Sequence, residues 1–242
     1  RRSSDLVNKK VQSAKAFVTA KGAYEATVNG TRVGDSYLNP GWTSYNKHLQ
    51  YQVYDLTGQL KQGLNDISVQ LGSGWFRSRL GWQNNQNYYG TTTALLWQLE
   101  LKYSDGTSET VISDVNWQTG FGHIVSSEIY DGEHQDTRLT WKAMGQAKEI
   151  QANFDILTAQ INEPIKKQEV LTVKKVLKSP TGNTILDFGQ NIVGWVKLKV
   201  KGTSGQKVVL RHMEMLDKKG EPYFENLRSA KALATYELNG DE

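Results

Sequence analysis

The stretch 126–138, "SSEIYDGEHQDTR", gathers Glu128, Asp131, Glu133, His134 and Asp136 within nine positions. Paired carboxyl groups are the working parts of a glycosidase, one protonated and the other charged or activating water across a sugar. The spacing opposes that use. In an extended chain successive side chains point to opposite faces, so Glu128 and Asp131 diverge; Asp131 and Glu133 share a face and line one wall instead of flanking a substrate. Calcium asks only for hard oxygen ligands, yet the alternating ligands and central glycine of an EF-hand are missing. The expectation is therefore a structural turn at Tyr130-Asp131-Gly132, its carboxylates accepting from nearby amides or from Arg138. An interface or binding role stays open beside it.

His48, His123, His134 and His212 are far apart, and no H-E-x-x-H pair occurs. No G-x-S-x-G elbow or P-loop is present, and "GQNIVG" precedes a strand pattern where a phosphate loop would precede a helix. The stretch 72–90, "GSGWFRSRLGWQNNQNYYG", is more suggestive. It interleaves Trp75, Phe76, Trp82, Tyr88 and Tyr89 with Arg77, Arg79 and a run of amides. Sugars present apolar C–H faces fringed by hydroxyls; indoles stack on the faces, and Asn, Gln and Arg satisfy the hydroxyls. The candidate sugar contacts are Trp75, Arg79, Trp82, Asn84, Asn85 and Asn87, on a long loop of the kind that carries function. The equal alternative is that Trp75 and Trp82 plug the end of a sandwich.

What could position such a loop is written in the surrounding patterns. The 242 residues are enough for one large or two modest domains with real cores. A formal charge of +4, with basic residues scattered among acidic ones, gives no nucleic-acid stripe. No cysteine is present, which removes disulfides and thiolate metal sites and leaves the compartment open. No apolar run approaches the roughly 20 residues that span a bilayer. The chain begins at Arg1 with no signal-like segment, as expected where the natural N-terminus is missing or processed.

Period-two alternation dominates. Tyr24, Ala26 and Val28 form one face ahead of the turn Asn29-Gly30. Leu49, Tyr51 and Val53 alternate with Gln50, Gln52 and Tyr54, and Ile67, Val69 and Leu71 with polar partners. Leu95, Trp97, Leu99 and Leu101 point inward in a hairpin around Asp105-Gly106. "GWVKLKVKG" is the cleanest strand pattern, with Val196, Leu198 and Val200 toward a core and Lys197, Lys199 and Lys201 toward water. Residues 141–154 could alone carry a helix of any length, and with the segment to about Lys167 they read as a linker. Short strands, many turns and hardly any helix predict an all-β protein of antiparallel jelly-roll sandwiches.

At "AYEATVNGTRVGDSYLNPGWTSYNKHLQYQVYDL" and on through "GSGWFRSRLGW" the sequence resembles the N-terminal β-sandwich of bacterial α-L-rhamnosidases, glycoside hydrolase family 78. The shared pattern is Y-x-x-x-x-N-G-x-x-V-G-D, then P-G-W-T-x-Y, Q-Y-Q-x-Y-D, G-x-N and G-x-G-W, in that order. The 126–138 stretch resembles the family's module-closing segment. "ILDFGQNIVGWVKLKVKG" and "VVLRHMEMLDKKGEPYFENLRSA" resemble the start of its concanavalin-like sandwich. The resemblance covers about 14–138 and 168–242, and implies a galactose-binding-like jelly roll over 1–140, a linker over 141–167 and an incomplete concanavalin-like sandwich over 168–242.

The resemblance further implies that the catalytic acid and base of an inverting mechanism lie in an (α/α)6 barrel downstream, so no catalytic residue is assigned in this chain. These modules would brace the barrel within the same polypeptide, or hold an L-rhamnose-containing glycan. Some family members bind rhamnose through calcium. The matching metal position is Asn46, with oxygens from the 83–89 loop and a stacking face from Trp75; Tyr45 stands where calcium-dependent members tend to place an acid, so the expectation is no cofactor, with calcium as the alternative. The rival readings are an autonomous lectin-like module and the front end of another exo-glycosidase such as a β-galactosidase; "DFGQNIVGW" opposes the latter.

Overall fold

The computed structural model describes residues 2–7, 9–81 and 84–241, and nearly all of the regular structure is strand. The chain divides into two compact units: residues 1–122, 127–129 and 141–166, and residues 123–126, 130–140 and 167–242.

The first unit is a β-sandwich. One sheet has five strands in the order Leu157–Ala159, Leu49–Asp55, Val11–Lys21, Ala94–Tyr103, Ser108–Ile112. The other has four, Arg2–Val7, Gly63–Gly72, Ala23–Val28 and Thr31–Arg32. Alternation sets the inward faces. Ala14, Ala16, Val18, Trp97, Leu99 and Leu101 of the first sheet are buried in one cluster with Tyr24, Ala26, Val28 and Ile67 of the second. The expected turns form: Asn29 and Gly30 both take positive φ (51° and 78°), the signature of a tight hairpin turn, and Asp105 Oδ1 accepts from the Thr107 amide at 2.9 Å in the next one.

One question left open by the sequence is settled and two expectations are corrected. On Leu49–Asp55 the core-side face is the polar one: Gln50 and Gln52 are buried, and Val53 is half exposed. Periodicity defines two faces but not which turns inward, and here hydrogen bonds decide. The Tyr24 hydroxyl donates to Gln52 Oε1 (2.7 Å) and lies 3.0 Å from the Tyr54 hydroxyl. Asn39 Nδ2 donates to Tyr54 (3.1 Å) and to Ser36 Oγ (2.8 Å), and Gln52 Nε2 donates to the Pro40 carbonyl (3.3 Å). Gln50 Oε1 accepts from the Ile161 amide at 2.9 Å.

Second, 141–167 is neither helix nor free linker. Lys142–Gln146 pairs antiparallel with Gln118–Phe121, Leu157–Ala159 runs parallel to Leu49–Asp55, and Ile165–Lys166 pairs with Ser36–Tyr37.

Third, "GWVKLKVKG" joins none of the sheets of the second unit, and Leu198 is exposed. The regular structure of that unit is a four-stranded sheet, in the order Ile124–Glu128 (of which 124–126 fall in this unit), Gly132–Asp136, Leu233–Glu237, Lys207–Arg211, and a hairpin of Lys175–Lys178 with Thr184–Asp187. Gly132–Asp136 and Leu233–Glu237 run parallel. Among the described apolar residues only Ile185 and Leu238 are buried there, and Val196 and Val200 are half-buried.

Tyr24→Phe removes the donor to Gln52 and leaves a buried amide oxygen unsatisfied. We expect a loss of about 1–3 kcal/mol with an unchanged denaturant slope in urea unfolding; no loss would mean the network is dispensable.

Candidate functional site

The acidic stretch 126–138 forms the end of one strand, a turn and the strand Gly132–Asp136. Asp131 and Asp136 are paired with cations nearby. Arg138 grips Asp136 through Nε (2.8 Å) and Nη2 (2.7 Å), and the same Nη2 reaches Glu237 Oε2 at 2.7 Å. His134 Nε2 lies 3.0 Å and Lys207 Nζ 3.2 Å from Glu237 Oε1. Asp131 sits 3.4 Å from Lys231 Nζ. The Arg138 hydrogen bond holds the Asp136 carboxyl down to about 2.

A glycosidase acid must stay protonated near neutrality, with its affinity for the proton raised. Among the described residues every carboxyl whose ionisation is displaced (Asp35, Asp55, Asp105, Asp136, Glu221 and Glu237) is displaced downward. These are structural anions, and none is poised as an acid.

The aromatic stretch is built differently. Gly74–Arg77 is a single helical turn, after which the chain folds back so that residues 85–89 run alongside 76–80. The Leu80 amide donates to the Asn85 carbonyl (2.8 Å), Asn87 to Arg77 (3.1 Å) and Tyr89 to Phe76 (3.2 Å). Two glycines make this possible. A Cβ on Gly74 (φ +51°) would lie 2.6 Å from the Ala23 nitrogen, and one on Gly90 would lie 2.7 Å from the Phe76 ring. Phe76 is thereby buried together with Tyr45 and Leu49, against Trp75, Tyr89, Ile156 and Leu157. Ile156 and Leu157, from the segment expected to be a linker, help to floor the site.

Trp75, Arg79, Asn84, Asn85 and Asn87 are thus brought onto one folded-back loop. The three Asn side chains are exposed, and Arg79 Nη1 donates to Asn84 Oδ1 at 2.5 Å. Trp82 lies outside the described residues.

Sequence reading missed Trp42 as a contact residue. Its ring lies parallel to Trp75 (6.2 Å between centroids, 7° between planes), and its Nε1 donates to the Tyr89 hydroxyl at 3.3 Å. Trp42 is 52 % and Tyr88 66 % exposed, so this aromatic surface faces solvent. The available signal was an indole directly after Pro40-Gly41, where a turn projects its side chain outward. Tyr45, in contrast, is buried edge-on against Tyr89 (4.9 Å) and Phe76 (5.6 Å), with its hydroxyl donating to the Gly41 carbonyl at 2.7 Å. Burial, with Tyr89 adding to it, pushes the Tyr45 phenol up and keeps it neutral.

Asn46 is exposed on the turn closed by Lys47 and His48 amides donating to the Ser44 carbonyl. The residue before it is a buried aromatic. Among the described residues no three of His, Asp and Glu gather where they could hold a metal. A calcium ion at Asn46 would have to take amide and backbone carbonyl oxygens.

The sequence matches the family described as the α-L-rhamnosidase N-terminal domain over residues 9–170, and the bacterial α-L-rhamnosidase concanavalin-like domain over 177–242. An α-L-rhamnosidase of Streptomyces avermitilis is 40 % identical over 97 % of this chain, and one of Formosa agariphila 35 % over 90 %. The chain spans 24 % of the length of each. The crystal structure of native α-L-rhamnosidase from Aspergillus terreus superposes with a TM-score of 0.94 at 37 % identity, over 100 % of this chain and 29 % of that one. The S. avermitilis enzyme, solved in complex with L-rhamnose, gives 0.91 at 39 % identity over 99 % of this chain and 24 % of that one.

Acid titration tests the Arg138 network. A carboxyl held below its ordinary value of 3.8 adds stability that is complete above about pH 4 and is lost as pH falls through about 2. Asp136→Asn is expected to flatten the stability–pH curve over that window, read by urea unfolding at stepped pH; an unaltered slope would remove Asp136 from the network. The two domain matches, in this order and covering nearly all of the sequence, place the chain in the bacterial α-L-rhamnosidase family.

Proposed function

We propose that this chain is the non-catalytic N-terminal quarter of a longer α-L-rhamnosidase, and that the end of its first sandwich holds sugar for the hydrolysis of terminal L-rhamnose from glycosides. Bond cleavage in this reading belongs to a catalytic barrel in the remaining polypeptide, which these modules brace. Two findings support the division: the relatives are about four times longer, and the displaced carboxyls found here are all held as anions.

The observation that carries the sugar-holding part is the parallel pair of exposed Trp42 and half-buried Trp75, with exposed Tyr88 edge-on to the Tyr89 ring whose hydroxyl accepts from Trp42. Indole faces accept the C–H surface of a pyranose, and the exposed Asn84, Asn85 and Asn87 supply donors and acceptors for its hydroxyls. The substrate class follows the relatives' activity, the S. avermitilis enzyme having been solved with L-rhamnose. Binding is proposed to need no calcium, because aromatic faces and amides complete the contact set and Tyr45 replaces a carboxylate with a buried ring.

Titration calorimetry with L-rhamnose and with a rhamnose-containing glycan, each with and without calcium, tests this. Equal heats in both conditions are expected, with Trp42→Ala weakening binding by roughly tenfold. Heat only with calcium would replace the aromatic reading by the metal-bridged one. No heat at all would leave a purely bracing role. A chain extended to the relatives' length is expected to cleave an aryl α-L-rhamnoside, and residues 1–242 alone are expected to leave it intact.

A further inference from the structure

Asparagine followed by glycine occurs twice, at Asn29-Gly30 and at Asn239-Gly240. The pair is chemically fragile, because glycine has no side chain to keep its amide nitrogen away from the preceding carboxamide carbon. The fold treats the two differently. Asn29 is clamped: its Nδ2 donates to the Gln59 carbonyl (3.0 Å) and to Oδ1 of buried Asn65 (2.8 Å), and its Oδ1 accepts from the Asp66 amide (3.1 Å). Turning that carboxamide toward Gly30 would break all three bonds together. Asn239 is exposed, and its side chain bonds within its own turn: Oδ1 accepts from the Asp241 amide (3.0 Å) and Nδ2 donates to Asp241 Oδ2 (3.2 Å). The chain is anchored as far as Leu238, whose amide donates to the Gln206 carbonyl and whose carbonyl accepts from the Gly205 amide. Among the described residues no hydrogen-bond acceptor engages the Gly240 amide. A Cβ built on Gly240 would come no nearer than 3.6 Å to Ser204, so the turn has room to close a ring.

We propose that Asn239 is a site of spontaneous covalent modification, and that its clamp protects Asn29 from the same chemistry. The Gly240 amide nitrogen attacks the Asn239 carboxamide carbon and forms a C–N bond. The carboxamide nitrogen leaves as ammonia, taking the proton from the Gly240 nitrogen, and a cyclic imide remains. Water then adds to either imide carbonyl and opens the ring, giving aspartate or isoaspartate. The sum is one water gained and one ammonia lost, with nothing oxidised or reduced. The product carries one more negative charge, so the formal +4 of the chain falls by one. The isoaspartate form also adds a methylene to the backbone just after the strand Leu233–Glu237, whose Glu237 carboxylate holds Arg138 and Lys207. At Asn29 the same loss would remove the donor to Asn65 and to the Gln59 carbonyl, so the clamp opposes the product as well as the approach.

Ageing the folded chain in mildly alkaline buffer tests the proposal, with each asparagine followed by peptide mass mapping and isoaspartate scored by an isoaspartate-specific methyltransferase. Asn239 is expected to convert at least ~10-fold faster than Asn29, where more bonds must break before the ring can close. In urea, with the clamp undone, the two rates are expected to converge. Asn239→Gln is expected to remove the new acidic species seen on charge separation of the aged chain, and Gly240→Ala to slow its appearance; both substitutions lie on an exposed turn. Comparable rates at the two positions in the folded chain would overturn the inference, as would a difference that persists unchanged in urea. Conversion of Asn239 to aspartate with no isoaspartate would do so too, because opening of the imide yields both.

Discussion

A buried knot of hydrogen bonds between the Tyr24, Gln52, Tyr54 and Asn39 side chains sets the geometry of the first unit. Buried polar groups without partners are costly, and fully satisfied networks specify one arrangement. Here the network fixes which face of Leu49–Asp55 turns inward. Through the Pro40 carbonyl and the Ser36 hydroxyl it ties down the loop that presents Trp42 and buries Tyr45. Gln50 does the same for 160–162. The aromatic surface is therefore mounted on polar bonds under the loop as well as on the greasy core beside it.

Much of the fold was legible in the sequence because its physics is local. Tyr24, Ala26 and Val28 alternate and are buried; Trp97, Leu99 and Leu101 alternate and are buried; Asn29-Gly30 and Asp105-Gly106 make the turns their conformational freedom favours. What failed was non-local. Alternation in "LQYQVYD" gave two faces but could not reveal that Gln50 and Gln52 had partners waiting in distant loops. "GWVKLKVKG" has the right period, but a strand also needs a neighbour, and periodicity does not supply one. The strands in 142–166 are short and flanked by polar residues, so only their pairing partners, over a hundred positions earlier for Ile165–Lys166, declare them.

The candidate site shows the same division. The 72–90 loop announced itself by composition, and its glycines mark where the backbone packs too closely for a side chain. Trp42, the ring that lies parallel to Trp75, is distant in sequence, and only the folded loop brings the two together. The acidic stretch carries the same residue types as an active site, yet Arg138 pairs Asp136 and Lys231 pairs Asp131. Residue type proposed chemistry there, and the partners withdrew it.

The two units are also braided along the chain: residues 123–126 and 130–140 belong to the second, while 127–129 and 141–166 return to the first. A cut between residues 136 and 167 would part the inner strand Gly132–Asp136 from its neighbour Leu233–Glu237. No single break between residues 122 and 167 leaves both units whole.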